Sequence, residues 1–364
     1  MRKLGVSIYP DLSTPEQDKA YLNLAAKLGY KRVFTSLLQI NGNQDDVISD
    51  FKEVIQYAKS LGLEVMVDMN PELFPQLGIS YDDLSFFDDL GAYGVRLDIG
   101  FSGMEEARMS RNPYGVKIEI NMSSGGTQYI DNIMSYHPNR DNLLGSHNFY
   151  PQRYTGLSYD YFVACCEKYR RYNLRTAAFV NAPSASYGPW PITEGLCTLE
   201  MHRTMDIHSQ TQHLLLTDLI DDILIANAYA SEEDLKTVAY VGTSLVPQIR
   251  VQMEEKATKL EREVILENRQ TYRGDRSDYM IRSLLTRVKY KANDFPPNNT
   301  RDIVRGDILV LNNNYGQYKG ETQVALQDMP NFGSSNVVGH IVEDDLLYLD
   351  SIPLNADFQL VENK

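Results

Sequence analysis

The feature that most constrains this chain is a repeat. Over about 240 residues, a short apolar run rich in β-branched residues is followed eight times by an amphipathic segment with helical spacing. The runs lie at 4–9, 32–37, 64–69, 94–99, 117–122, 143–150, 175–180 and 222–227. Thr14-Pro15-Glu16-Gln17 carries a capping box with proline at the first helical position. Ser80, Ser102 and Ser231 each have an acid three residues on, the same start signal. Tyr21, Leu24, Ala25 and Leu28 then recur at helical spacing, as do Phe51, Val54, Ile55 and Ala58, each run closed by a glycine. Eight alternating units predict an α/β fold, a (β/α)8 TIM barrel. A doubly wound sheet usually has fewer strands and a glycine-rich first turn. Here that turn is Tyr9-Pro10-Asp11-Leu12-Ser13.

After Thr243 the pattern changes to short runs at 246–252, 263–266, 308–311, 323–326 and 337–341, all expected as strands, with a loop at 293–300. The expected organisation is therefore a catalytic barrel over 1–243 and a small, mostly β C-terminal domain over 246–364. Acidic residues outnumber basic ones by 49 to 35, giving a formal charge of −14. That balance argues against nucleic acid or an anionic membrane as the partner. No stretch approaches the 18 apolar residues of a membrane span, and the basic start MRKLGVSIYP lacks a signal peptide's apolar core. Three cysteines without a framework of pairs fit a reducing, cytoplasmic setting. Cys165 and Cys166 read as packing residues of a helix.

Barrel chemistry sits at the C-terminal ends of the strands. Those ends offer Ser7 and Tyr9, Thr35, Asp68 and Asn70, Arg96 and Asp98, Glu119 and Asn121, and His147, Asn148 and Tyr150. Residues two apart share a face, so Arg96 with Asp98, Glu119 with Asn121, and Asp68 with Asn70 can share the barrel mouth. One reading is an internal salt bridge in which Arg96 neutralises Asp98 or Glu119. The other is a catalytic pair of carboxylates whose pKa values are pushed apart, as glycoside hydrolysis requires. Asp98 and Glu119 are the expected pair, with Asp68 and Glu194 in reserve. Carboxylates so grouped also suit a divalent cation, but no HExxH occurs, so no metal is expected. Neither a GxxxxGK[ST] loop nor a GxGxxG run is present, so no nucleotide cofactor is expected either.

Three strings stand out from the scaffold. HNFYPQRYTG at 147–156 is polar and aromatic at a strand end. PITEGL at 191–196 lies in a long connection and is expected to open a helix capped by Thr193, whose free N–H groups suit an anion. NNNYGQYKGE at 312–321, with Asn313, Tyr315, Tyr318 and Glu321, has the composition of a sugar-binding loop. Its plainer reading is an ordinary hairpin turn. Arg153 follows the sixth strand and Arg305 stands just before the third string; an arginine fork suits an anionic group, and at least one of the two is expected to hold one, with Tyr154 or the N–H groups near Thr193 assisting.

Taken together, KLGVSIYP, HNFYPQRYTGLS, PITEGLCTLEMHR and RGDILVLNNNYGQYKGETQ resemble bacterial 6-phospho-N-acetylmuramidases, a glycoside hydrolase family. The resemblance covers essentially the whole chain. It implies a barrel followed by a cyclophilin-like β domain. It also implies cytoplasmic hydrolysis of the β-1,4 bond in a phosphorylated amino-sugar disaccharide, N-acetylmuramic acid 6-phosphate joined to N-acetylglucosamine. A barrel lyase or isomerase acting on a sugar phosphate, and a non-catalytic carbohydrate-binding protein, are the competing readings.

Overall fold

The structure, a computed structural model, describes residues 2–37, 44–124, 127–192 and 194–363, with the side chains of 44–47 and 127 left aside. The chain divides into two units, Met1–Leu214 with Asp218–Thr243, and Leu215–Thr217 with Ser244–Lys364.

In the first unit eight parallel strands close into a barrel: β1 (Lys3–Ser7), β2 (Arg32–Ser36), β3 (Glu64–Met69), β4 (Gly94–Leu97), β5 (Lys117–Asn121), β6 (Leu143–Ser146), β7 (Arg175–Val180) and β8 (Asp222–Ile225). β1 pairs with both β2 and β8, which closes the ring. Helices follow the strands: α1 (Pro15–Lys27), α2 (Gln44–Ser60), α3 (Ser85–Leu90), α4 (Met104–Met109), α5 (Thr127–Ser135), α6 (Tyr159–Arg170), α7 (Ile207–Leu216) and α8 (Glu232–Thr243). The Thr14 capping box forms as its residues dictate: Gln17 N–H donates to Thr14 Oγ1 and Thr14 N–H to Gln17 Oε1. Phe51, Val54, Ile55 and Ala58 are all buried on the inner face of α2. Gly94 is required by its neighbours, because a Cβ there would lie 2.6 Å from the Lys117 carbonyl oxygen across the β4–β5 step.

Two expected helix starts are replaced. Ser80 pairs with Asp83 in a turn, and Asp83 Oδ1 instead accepts the Ser85 N–H at the start of α3. At 191–196 no helix opens, since Pro191, Ile192 and Glu194 lie in irregular chain; Thr193 lies outside the described residues. Prolines at 189 and 191 and the left-handed Gly195 (φ 100°) keep the segment extended and turning.

The second unit is a seven-stranded sheet in the order β10-β15-β9-β14-β12-β13-β11. Its elements are β9 (Gln248–Met253), α9 (Lys259–Leu266), β10 (Arg269–Thr271), β11 (Met280–Ser283), α10 (Leu285–Lys289), β12 (Asp307–Leu311), β13 (Thr322–Ala325), β14 (Ser335–Ile341) and β15 (Asp357–Glu362). The strand expected at 263–266 is the end of α9. Thr258 and Glu261 form a reciprocal capping box, and Val264 and Ile265 bury one helical face. The short apolar run has the same composition on either reading, and the cap three residues upstream decides it. β10 (RQT) carries no apolar residue, β11 (MIRS) is four residues long, and β15 (DFQLVE) breaks its alternation at Val361, so none signals itself as a strand. Ile249, Val251, Ile308, Val310, Phe358 and Leu360 form the centre of this unit's core with the α9 pair.

Candidate active site

Side chains of alternate residues point into the barrel. The inward set includes Arg32, Phe34, Asp68, Arg96, Glu119, Ser146, Ala177, Phe179, Asp222 and Leu224. They divide into an apolar filling and two polar groups at different heights.

The upper group is centred on Arg96, which is buried. Its Nη1 donates to Asp68 Oδ1 at 2.6 Å and to Asp98 Oδ1 at 3.4 Å, its Nε donates to Ser146 Oγ at 2.8 Å, and its Nη2 donates to Asn148 Oδ1. Asp68 and Asp98 line a cavity of about 170 Å³ with Phe34, Phe149, Phe179, Asn148, Pro189 and Trp190. Burial pushes the Asp68 carboxyl up to about 6, against the pull of the Arg96 guanidinium, and the nearby charges of Asp98 and Glu119 add to the rise. Asp98 is the open member of the pair, with 35% of its side chain exposed. Asn121 Nδ2 donates to the Asp98 carbonyl at 3.0 Å and fixes the chain where β4 ends.

The lower group holds Glu119. Its Oε2 accepts from Arg32 Nη2, while Arg32 Nη1 donates to Asp222 Oδ2 at 3.1 Å and Arg175 Nε donates to the same oxygen at 2.8 Å. Arg32, Arg175 and Asp222 are each the first residue of a strand, so this network lies at the N-terminal end of the barrel. Glu119 is thus tied to Arg32, whereas Asp98, its expected partner, is tied to Arg96. The reason is the tilt of the strands. Ser36, Asp68, Arg96 and Glu119 occupy one row of strand register. In a tilted barrel such a row runs obliquely to the axis. It descends from the mouth at Asp68 to the base at Glu119.

The other mouth candidates divide between scaffold and cavity. Ser7 Oγ donates to the Ile225 carbonyl at 2.7 Å, and Tyr9 donates its hydroxyl to the Ala226 carbonyl, so both close the β1–β8 seam. Thr35 alternates with Phe34, points away from the interior and is fully buried. His147 alternates with Asn148; its ring meets Cys166 Sγ at 3.2 Å and Ser123 Oγ at 3.1 Å. Burial holds that imidazole down to about 3, so it is neutral. Ser123 Oγ in turn accepts the Asn148 N–H at 2.9 Å, so His147 supports Asn148 through Ser123 while also lining the cavity. Asn70 caps the short turn after β3 through the Glu72 N–H.

The strand-six string and the long connection are fastened together. Arg203 Nε and Nη2 each donate to Glu200 at 2.7 Å, and its Nη1 donates to the carbonyls of Tyr150 and Gly195 at 2.9 Å. Glu200 accepts the N–H groups of Tyr154 and Gly156, both at 2.8 Å. The Arg203 guanidinium and those two N–H groups hold the Glu200 carboxyl well below its usual range. Tyr154 itself is 88% exposed. Glu194 is outside the cavity; its carboxylate accepts the Arg153 N–H at 3.0 Å and stands 3.6 Å from Arg153 Nε. The sequence reading missed Phe34, Phe149, Phe179 and Trp190 as cavity walls. The sole tryptophan, placed in the long connection beside two prolines, was the available signal.

In the second unit Arg305 is committed to structure. It donates to the Leu326 carbonyl at 2.8 Å and to both oxygens of Asp350 at 3.0 and 2.9 Å. Glu321 is fully buried and accepts from Arg282 at 2.7 Å and Arg287 at 3.0 Å. Asn313 bridges Asp294 and the Phe295 N–H. Tyr315 and Tyr318 are exposed and meet edge to face at 6.4 Å. Among the described residues no three His, Cys, Asp or Glu side chains are grouped to hold a metal ion. No helix among them is long and apolar enough to cross a membrane.

Two family models match the chain. One described as 6-phospho-N-acetylmuramidase, N-terminal, covers residues 4–240, and one described as 6-phospho-N-acetylmuramidase, C-terminal, covers 247–361. A crystal structure of an uncharacterized B. cereus protein is 44% identical, with a TM-score of 0.90 over 99% of both chains. A conserved Enterococcus faecalis protein of unknown function is 23% identical, with a TM-score of 0.71 over 99% of this chain and 96% of that one, and shares the fold. No curated protein matches.

Proposed function

The chain belongs to the 6-phospho-N-acetylmuramidase family, and from that premise we propose that it hydrolyses the β-1,4 bond between N-acetylmuramic acid 6-phosphate and N-acetylglucosamine. The observation that supports this most is the pair of carboxylates, Asp68 and Asp98, sharing Arg96 Nη1 inside an aromatic-walled cavity. Distances of 2.6 and 3.4 Å to one nitrogen keep the two oxygens within about 6 Å of each other. Retaining glycosidases separate their carboxyl groups by about 5–5.5 Å and inverting ones by about 6.5–9.5 Å. The spacing favours retention.

In this mechanism Asp68, whose carboxyl burial raises to about 6, protonates the glycosidic oxygen. Asp98, more open and facing Arg96, attacks the anomeric carbon from the other side of the bond, and N-acetylglucosamine leaves. Water, deprotonated by Asp68, then cleaves the glycosyl ester. N-acetylmuramic acid 6-phosphate departs and both carboxyls return to their starting states. Trp190 and Phe149 supply flat apolar faces for the sugar rings. Arg153 reads the 6-phosphate, since its exposed 3.6 Å contact with Glu194 is weak enough to exchange for a dianion. Such a substrate arises when cell-wall fragments are phosphorylated during uptake, which puts the enzyme in the cytoplasm. The resemblance makes the β unit cyclophilin-like.

The decisive experiment incubates the protein with the phosphorylated and unphosphorylated disaccharides and follows products by mass spectrometry. Free N-acetylglucosamine and N-acetylmuramic acid 6-phosphate, from the phosphorylated substrate alone, are expected. An unsaturated or rearranged sugar product indicates a lyase or isomerase, and unchanged substrate indicates a binding protein.

A further inference from the structure

A cavity larger than the one between Asp68 and Asp98 belongs to the second unit. It measures about 590 Å³, within the range of small-molecule sites. Its walls come from the 275–282 segment, the Tyr315–Tyr318 loop and the 329–335 turn, with Gln323 in the wall. None of these residues contributes to the Asp68–Asp98 cavity.

The charge of this cavity runs against that of the protein. Arg276 and Arg282 line it, with Asp275 as the acidic member. Asp275 is already paired with Arg273. Arg282 shares the buried carboxylate of Glu321 with Arg287, so two guanidinium groups are balanced by one acid. Arg276 is exposed and has no ion pair among the described residues. A surplus of positive charge thus remains in a chain of net charge −14.

Aromatic surface stands beside that charge. Tyr315 and Tyr318 are exposed by 48% and 37%, and the Arg287 guanidinium lies 5.1 Å from the centre of the Tyr318 ring. Phe332 is 92% exposed, at the tip of a turn completed by Gly333 (φ 82°). Its ring stands uncovered beside the positive charge, where a flat sugar face can pack on it. Gln323, Asn331, Ser334 and Ser335 add polar groups around the wall.

We propose that this cavity is a second binding site, for a small sugar that carries an anionic group. Arg276 and Arg282 hold the anion, and Phe332 with the two tyrosines covers the ring. The site goes beyond the proposed hydrolysis and does not depend on the barrel carboxylates.

Calorimetric titration of the full chain with N-acetylglucosamine 6-phosphate tests this, alongside N-acetylglucosamine, N-acetylmuramic acid and inorganic phosphate. Trp190, the single tryptophan, lies in the barrel cavity. Its fluorescence therefore reports barrel occupancy separately. The sugar phosphate is expected to bind, and Arg276→Ala to weaken that binding by about 10-fold to 100-fold, the usual effect of losing a charged hydrogen bond. Phe332→Ala should weaken it severalfold. Both side chains are exposed, so neither change threatens folding, and neither should alter the Trp190 response. N-acetylmuramic acid binding comparably identifies a carboxylate as an acceptable anion and supports the site. Binding that survives both substitutions within twofold, or that disappears in Arg153→Ala, overturns the proposal. So does equal binding of uncharged N-acetylglucosamine, or of inorganic phosphate alone.

Discussion

Arg96 Nη1 lies 2.6 Å from Asp68 Oδ1, and both side chains are buried while still bordering a cavity. Burial drives the carboxyl towards its neutral form and the guanidinium drives it towards the charged one. Burial wins, and the carboxyl rises to about 6. A group balanced in this way holds its proton below about pH 6 and can release it.

Replacing either carboxylate should stop the reaction. Asp68→Asn and Asp98→Asn are each expected to lower the release of N-acetylglucosamine by about 10²–10⁴-fold or more. Both variants should retain the far-UV circular dichroism of the parent. Turnover within tenfold of the parent for both would remove the pair from the chemistry.

The raised Asp68 pKa has a signed effect on stability. Its folded value, about 6, lies above the value near 4 of an unfolded chain, so folding favours the protonated form. Its contribution is fully present below about pH 4 and is lost as the pH rises through about 6. Urea unfolding of the parent and of Asp68→Asn should show the variant gaining on the parent across that window. The gap should then stay level. The parent's turnover should also fall above about pH 6 as the donor loses its proton. A flat stability difference from pH 4 to 7 contradicts this assignment.

Glu119 should behave as scaffold. Glu119→Ala leaves Arg32 facing one fewer carboxylate in the barrel base, and breaking a buried pair typically costs about 3–5 kcal/mol. The milder Glu119→Gln is expected to fold, to unfold at lower urea and to keep turnover within about tenfold of the parent, well short of the loss expected for a catalytic acid. A stable Glu119→Gln with turnover reduced a thousandfold would return Glu119 to the mechanism.

The two arginines once equivalent in sequence should separate. Arg153→Ala is expected to weaken the phosphorylated disaccharide by about 1.5–3 kcal/mol in kcat/KM and to leave the unphosphorylated one nearly unchanged. Arg305→Ala breaks a half-exposed pair with Asp350, worth about 0–1 kcal/mol of stability, and should affect both substrates by the same factor. Equal discrimination in Arg153→Ala and the parent assigns the phosphate elsewhere.

The sequence alone determined the barrel, because each of its eight units signals itself locally. A β-branched run specifies a buried strand, and Thr14 with Gln17 specifies a helix start, whatever the rest of the chain does. The same locality explains the misread segment at 263–266, where four apolar residues carry no period of their own. The strand ends also exposed Asp68, Arg96 and Asp98 as costly charges among apolar neighbours. Which of these charges meet was decided by tertiary structure. Arg32 and Glu119 are 87 residues apart, and Asp68 and Arg96 are 28 apart. Their heights in the barrel follow from strand tilt and from the closure of β1 on β8, which no single strand encodes. Closure likewise gave Tyr9 to the Ala226 carbonyl, and long-range contacts gave Arg305 to Asp350. A side chain's chemistry is written in its residue type, but its availability depends on partners that only the folded chain brings within hydrogen-bonding distance.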